Sequence, residues 1–296
     1  MKNGKRTFIL TEIVLGLLVA TLAFFMLYNK NEQKAERIAV VIPDIEESQW
    51  SAFKYGLKMA SQEYGVNTVL ISKANINMSE DEIEVVQQEI DKGADAIIVK
   101  NVEKKSAIPV TEPDQYDMGV ALAGKLLENN NGNLRGKKIG IYTESSRSGA
   151  DSKREKGVRD TLKDSGAKIL WSVSRDEGIK KKVILQSQRK VDIVLALDDT
   201  SLVEAGEAAK QNNLSGAIVY GIGNSTEAVY YLDTRWAESL IVSDEFTAGY
   251  QCVAETVKKL RTSFYQMENQ KVPYTILTRQ NLFSQENQDL LFTLSQ

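Results

Sequence analysis

Residues 37–43 read Arg37-Ile38-Ala39-Val40-Val41-Ile42-Pro43, five apolar side chains in a row closed by a proline. Polar residues do not alternate with them, so a strand here has apolar contact on both faces, as in the middle of a parallel sheet covered by helices on each side. From Ser51 the period changes. Phe53, Leu57, Ala60 and Tyr64 stand three or four apart on one helical stripe, and Gly65 follows as a stop. The alternation then repeats: Asn67 to Ser72 reads as a strand and Ser79 to Lys92 as a helix with Ile83, Val86 and Ile90 on one side. Ser79 and Glu82 suit a capping box, Gly93 ends that helix, and Ala96 to Val99 is a third strand.

A second block of the same kind begins at Lys138. Its strands are read at Lys138 to Tyr142, Ile169 to Val173, Val191 to Leu197, Ala217 to Gly221 and Ser239 to Val242. Its helices are read around Arg154 to Asp164, at Leu202 to Gln211 and at Ser225 to Leu232. A long amphipathic helix follows with Phe246, Tyr250, Val253, Val257 and Leu260 on one stripe, then a last strand at Val272 to Thr278 and a polar tail from Asn281. Alternating strands and helices in two blocks predict an α/β protein of two three-layer, Rossmann-like lobes.

Before Arg37 the chain is different in kind. Phe8 to Tyr28 is 21 residues of nearly unbroken apolar character, enough to span a hydrocarbon layer as a helix. Lys2, Lys5 and Arg6 precede it, so the expectation is a single-pass membrane anchor with a cytoplasmic N-terminus and the bulk of the protein outside. A cleaved signal peptide is the alternative, although its apolar core usually runs roughly 7–15 residues to a small-x-small site. The expected division is 1–30 as cytoplasmic tip and anchor, 31–36 as stalk, 37–110 with 244–270 as one lobe, 111–243 with 271–281 as the other, and 282–296 as tail.

Composition narrows the chemistry. The 296 residues include 37 Lys+Arg, 40 Asp+Glu, no histidine and one cysteine, Cys252. Without imidazole there is no Ser-His-Asp or Cys-His pair and no histidine metal ligand. A lone cysteine excludes an internal disulfide and multi-cysteine metal clusters, so no metal and no cofactor is expected. Four of the basic and one of the acidic residues fall within 1–30, leaving the remainder at −6. A negative surface disfavours nucleic acid as a partner. The carboxylate pair Asp198 and Asp199 is the only enzyme-like signal, and strand-end capping explains it more simply.

The chain resembles the type I periplasmic binding proteins of the ribose and galactose kind, whose fold is shared with the ligand domain of lactose-repressor-like regulators. The resemblance runs from about Arg37 to Thr278. It is carried by the polar loop Glu47-Ser48-Gln49-Trp50, the "GADAIIV" strand, Arg154-x-x-Gly157, the "LALDD" strand end, "VYGIGN" and "IVSDEFTAGY". No DNA-reading helix-turn-helix precedes these motifs. The resemblance implies a solute-binding protein, with a ligand held between the lobes at the C-terminal ends of parallel strands. A small molecule, a sugar, is the implied ligand, with a membrane permease of an ABC-type importer or a sensor kinase as partner. By position, Trp50 would be the stacking ring, Asn75 a polar contact from the first lobe, Arg154 the guanidinium, and Asp198 the carboxylate of the second lobe. Asn224 would be the nearest polar group at the following strand end, and Ser243 or Asp244 would fall at a crossing. Three of these have plainer readings too: Trp50 as a staple at its helix start, Arg154 as the ion-pair partner of Asp151 or Glu155, and Asp198 as the cap of the helix from Leu202.

Two departures from the family pattern stand out. Only seven residues, Lys100 to Ser106, separate Val99 from Ala107, too few for a parallel crossover with its helix. The first lobe is therefore expected to lack one strand and one helix, and with them an acidic and a basic ligand contact. At the strand ending in Ile222 and Gly223 the family's aromatic and aspartate are also missing. The alternative reading is accordingly a noncatalytic scaffold whose cleft is vestigial.

Overall fold

The computed structural model describes residues 14–22, 24, 35–42, 48–72, 80–100, 111–145, 149–175 and 184–295. The chain divides into two compact units, Met1–Glu36 and Arg37–Gln296. In the first, residues 14–22 form helix α1, along which Val14, Leu15, Leu17, Leu18, Val19 and Leu22 are exposed. Among the described residues no helix is long and apolar enough to cross a membrane. Both ends of the expected span, 8–13 and 25–28, lie outside the described residues.

The second unit opens with β1 (Arg37–Ile42), α2 (Ser51–Tyr64), β2 (Asn67–Ser72), α3 (Glu80–Asp91) and β3 (Ala96–Val99). It continues through β4 (Thr111–Glu112), α4 (Gln115–Asn129), β5 (Lys138–Thr143), α5 (Gly149–Leu162), β6 (Lys168–Ser174), α6 (Ile184–Ser187) and β7 (Ile193–Ala196). It closes with α7 (Asp199–Lys210), β8 (Ile218–Ile222), α8 (Thr226–Asp233), β9 (Ser239–Ser243), α9 (Glu245–Arg261), β10 (Gln270–Lys271), β11 (Tyr274–Thr278) and α10 (Gln288–Leu294).

Among the described residues, the first sheet is a parallel trio ordered β2-β1-β3. The run that opened the sequence reading is its central strand and is buried from Ile38 to Ile42. Ile38, Val40 and Ile42 pack against Phe53, Leu57 and Ala60 of α2 and against Ala248, Val253 and Val257 of α9. Helix α2 stops where expected, on Gly65 at φ +66°, in the left-handed region that glycine enters without cost.

The second sheet is ordered β11-β9-β8-β7-β5-β6, parallel except for β11. Its two faces are filled by alternate residues of the same strands. Ile193, Leu195 and Leu197 meet Met118, Leu122, Val158 and Leu162 of α4 and α5. Val194 and Ala196 meet Leu202, Ala205, Ala228 and Leu232 of α7 and α8. Each fully buried Leu or Val contributes about 1.5–3 kcal/mol, so this half carries the larger share of the core. Between the sheets, β4 pairs with β10 in register Thr111 to Gln270, and the Asp244 N–H donates to the Pro273 carbonyl at 2.9 Å.

Three features differ from the sequence expectation. Helix α4 occupies a stretch to which no element was assigned. Helix α7 starts three residues early, at Asp199, so that Asp198 becomes its cap. The stretch expected to be a polar tail contains α10, with Leu282 and Leu294 buried. Ser79 of the expected capping box with Glu82 lies outside the described residues.

Candidate functional site

Several buried charged groups of the second unit lie just past the ends of β3, β7 and β9. Lys100 follows the apolar strand β3 directly, and its Nζ donates to Glu245 Oε2 at 2.9 Å, with side chains only 12% and 9% exposed. Glu245 is the first residue of α9, and its other oxygen accepts from Ser243 Oγ at 2.8 Å. The Lys100 ammonium also stands 4.7 Å over the Phe53 ring. Burial works against the charge on Lys100, but Glu245 with Cys252 and Glu112 outweighs it and holds the ammonium above its ordinary value. Burial likewise opposes the Glu245 charge, and Lys100, Ser243 and Arg154 together pull that carboxyl below the usual range.

The influence of Arg154 on Glu245 links this pair to the second sheet. Arg154 lies on α5, where its Nε donates to Gln115 Oε1 at 2.7 Å and its Nη1 to Leu197 O at 2.7 Å and Asp151 Oδ1 at 3.2 Å. Among the described residues Nη2 has no hydrogen-bond partner, and the side chain is 15% exposed. Asp151 is buried, and burial first, then the charge of Asp198, pushes its carboxyl up to about 7 in spite of Arg154. Asp198 caps α7 by accepting from Ser201 N at 2.8 Å and also takes the Glu144 N–H at 2.7 Å. Burial raises its carboxyl too, and those amides and Arg154 oppose the rise. Asp199 accepts from the Asn224 and Ser225 amides, both at 2.8 Å.

The other expected site residues are placed as follows. Trp50 is 6% exposed, edge-on to Phe53 at 6.4 Å in the first core. Asn224 donates its Nδ2 to the Gln49 carbonyl at 2.8 Å, so it joins the second sheet's end to the turn before α2. Asp244 caps α9 through Thr247 N at 2.9 Å. Asn75 lies outside the described residues. The structure thus brings Arg154 and Asp198 into one cluster through Leu197 and Asp151, while Trp50 packs in the first core. Sequence reasoning passed over Lys100, Glu245 and Gln115. A charge set directly after a wholly apolar strand was the available signal for Lys100. Among the described residues no group of three acidic or cysteine side chains has the geometry to hold a metal ion.

A parallel three-stranded sheet and a six-stranded sheet parallel except for β11 thus carry buried charged groups at their strand ends, and the segments at Thr111–Glu112, Asp244 and Gln270–Pro273 run side by side between them. Residues 108–262 match the family described as periplasmic binding protein domain, and the chain belongs to that family. No curated protein matches the chain by sequence. Solved structures share the fold at low identity. One is a carbohydrate transporter solute binding protein from Agrobacterium radiobacter in complex with D-arabinose: TM-score 0.76, 16% identity, covering 88% of this chain and 99% of that one. Another is the Caulobacter myo-inositol binding protein bound to myo-inositol: TM-score 0.72, 19% identity, 85% and 96% covered. A third is the complex of XylFII with LytSN: TM-score 0.70, 12% identity, 83% and 99% covered.

Proposed function

We propose that this chain is a membrane-anchored, extracytoplasmic solute-binding protein that closes on a small polyhydroxylated ligand, a sugar or polyol. The observation that carries the reading is the Arg154 arrangement. Three of the chain's own acceptors fix the guanidinium in place, and Nη2 is left to fork onto a ligand hydroxyl without paying to immobilise a flexible side chain. Asp198, with its carboxylate oriented by two backbone amides, is the acceptor beside it. We assign the lobes to 37–110 with 244–270 and 111–243 with 271–281, and the anchor to residues 1–30 with the N-terminus cytoplasmic. The exposed apolar face of α1 supports the anchor. A permease of an importer or a sensor kinase is the partner this arrangement would serve. The D-arabinose and myo-inositol complexes of its structural relatives support a sugar or polyol.

The test is a thermal-shift screen of residues 36–296 against monosaccharides, polyols and furanoses. A ligand at 100 times its dissociation constant adds about 2.7 kcal/mol to the folded state, a shift of several degrees. One observation favours a second reading, a scaffold with a vestigial cleft: Lys100 and Glu245 satisfy each other where a ligand's polar groups would be met. No shift with any compound would select it.

A further inference from the structure

We infer that α10 is a strap that holds the two halves of the second unit together at one edge of the cleft and so sets how readily the cleft opens. The inference rests on the hinged-cleft reading above and concerns its regulation. Helix α10 follows the second sheet's last strand. Asn281 ties the intervening turn down by accepting from Thr278 N at 2.7 Å and donating to Ile276 O at 3.0 Å, and Asn287 donates to Asn281 O at 2.8 Å. Leu294 is buried in the core beneath the second sheet, and Leu290 and Leu291 pack on that same core.

The opposite side of α10 belongs to the other sheet's helix. Phe292 meets Tyr55 of α2 edge-on at 5.9 Å, and Tyr55 lies 5.5 Å from Phe246 of α9. Ala52 of α2 is buried in the same cluster as Leu294. One turn back along the chain, Ser48 Oγ bonds to Glu227 Oε2 of α8 at 2.5 Å and Gln49 O accepts from Asn224. Helix α2 starts at the C-terminal end of β1, and α8 starts at that of β8, so these contacts lie on the cleft side. None is part of the three crossings, the segments at Thr111–Glu112, Asp244 and Gln270–Pro273 that run side by side between the sheets. Rotation about the crossings must therefore break or slide the ring pair and the polar pair together, and a closed state held by such contacts is the one a ligand finds populated.

The test compares amide exchange in the ligand-free full chain with that of Phe292→Ala. Phe292 is 52% exposed, so its truncation spares the core. Exchange at residues 48–55 and 224–227 should rise together about fivefold, with residues 138–143 of β5 unchanged. Tyr55→Ala removes the same ring contact from the other side and should give the same pattern. Unchanged exchange in both variants, or a uniform rise that includes β5, would overturn the inference. The readout uses no ligand, so a failed sugar screen leaves it standing, and a sugar that binds while exchange stays unchanged removes it alone.

Discussion

The two halves of the second unit are covered by helix pairs of one construction and differ in what lies beneath. Helix α2 meets α9 at Gly56 and Gly249, and α4 meets α5 at Gly119 and Gly157, in each case with backbone against backbone. Under α4 and α5 the strands β7 and β9 are buried along their whole length. Under α2 and α9 β1 alone comes close, buried from Ile38 to Ile42, and β3 is half-buried at every position. A strand is buried on both faces and both sides only when it has neighbours, and a trio provides one such strand where six provide four. The smaller sheet also borrows α9 from the far end of the sequence, which makes its core the one of longer-range contacts, and a lower local stability is the expected consequence.

The largest expected effect singles out the smaller half. Lys100→Met leaves Glu245 buried without its cation, and breaking a buried pair in this way costs about 3–5 kcal/mol. Denaturant titration of the variant should show that loss, and Lys100→Met with Glu245→Gln should recover much of it. The pH dependence follows from the directions of the shifts. The Glu245 carboxyl is held low, so its contribution is present above the ordinary glutamate range and lost as pH falls through its folded value. The Lys100 ammonium is held high, so its contribution is complete below the ordinary lysine value and lost as pH rises through the folded one. A stability curve for the pair that is flat from about pH 5 to 10 and falls on both sides is expected.

The glycine pairs come next. A Cβ on Gly56 would stand 2.1 Å from Phe246 O, and one on Gly157 2.3 Å from Tyr116 O. Backbone oxygens cannot swing aside, so the helices must separate, at a cost of about 3 kcal/mol in each case. Gly56→Ala should speed exchange in residues 67–99 while leaving 138–197 protected, and Gly157→Ala should do the reverse. In the unmutated chain residues 67–99 should already exchange faster. Equal responses everywhere would show one cooperative body and end the contrast drawn above.

How much of this was legible follows from the range of the interactions. The central strand, the third strand at Ala96 and the strand-helix order after Lys138 are local patterns of period and burial, and they read correctly. Asp198 was legible as a cap because capping acts across three residues. The Lys100–Glu245 pair joins positions 145 apart, and nothing local in either stretch names the other. The contact of Phe292 with Tyr55 is of the same kind. It turns a stretch of mostly polar composition into a packed helix because Leu282 and Leu294 find a core that the rest of the chain supplies. Helix α4 is a different failure. Met118, Leu122 and Leu126 are spaced by four and buried, a signal that was present and left unused between the crossing and Lys138.

A third prediction turns to the larger half. The Asp151 carboxyl is pushed up to about 7 by burial and by Asp198, so the folded state holds a proton that the unfolded chain releases near pH 4. Between about pH 4 and 7 the folded form binds more protons, and stability therefore falls as pH rises through that window. Asp151→Asn keeps an acceptor for Arg154 and cannot ionise. At pH 8 it should be more stable than the parent by about 1–3 kcal/mol, and at pH 4 nearly equal to it. Parallel stability curves for the two would place the proton elsewhere in the cluster.

The smallest effect tests how helices are begun in each half. Helix α8 starts on Ser225, whose buried hydroxyl accepts from Ala228 N at 3.1 Å, while α2 starts on Trp50 with no side-chain cap bond. An unsatisfied first-turn N–H ordinarily costs about 1 kcal/mol, and Ser225→Ala should lower the unfolding free energy by that amount. The substitution creates no cavity larger than an oxygen and leaves Ala228 and Leu232 packed, so a larger loss would mean that the hydroxyl also supports Asp199 across the strand end. A loss within error would mean that α8, like α2, is held in place by packing alone, and the contrast between capped and uncapped helices would then carry no energy.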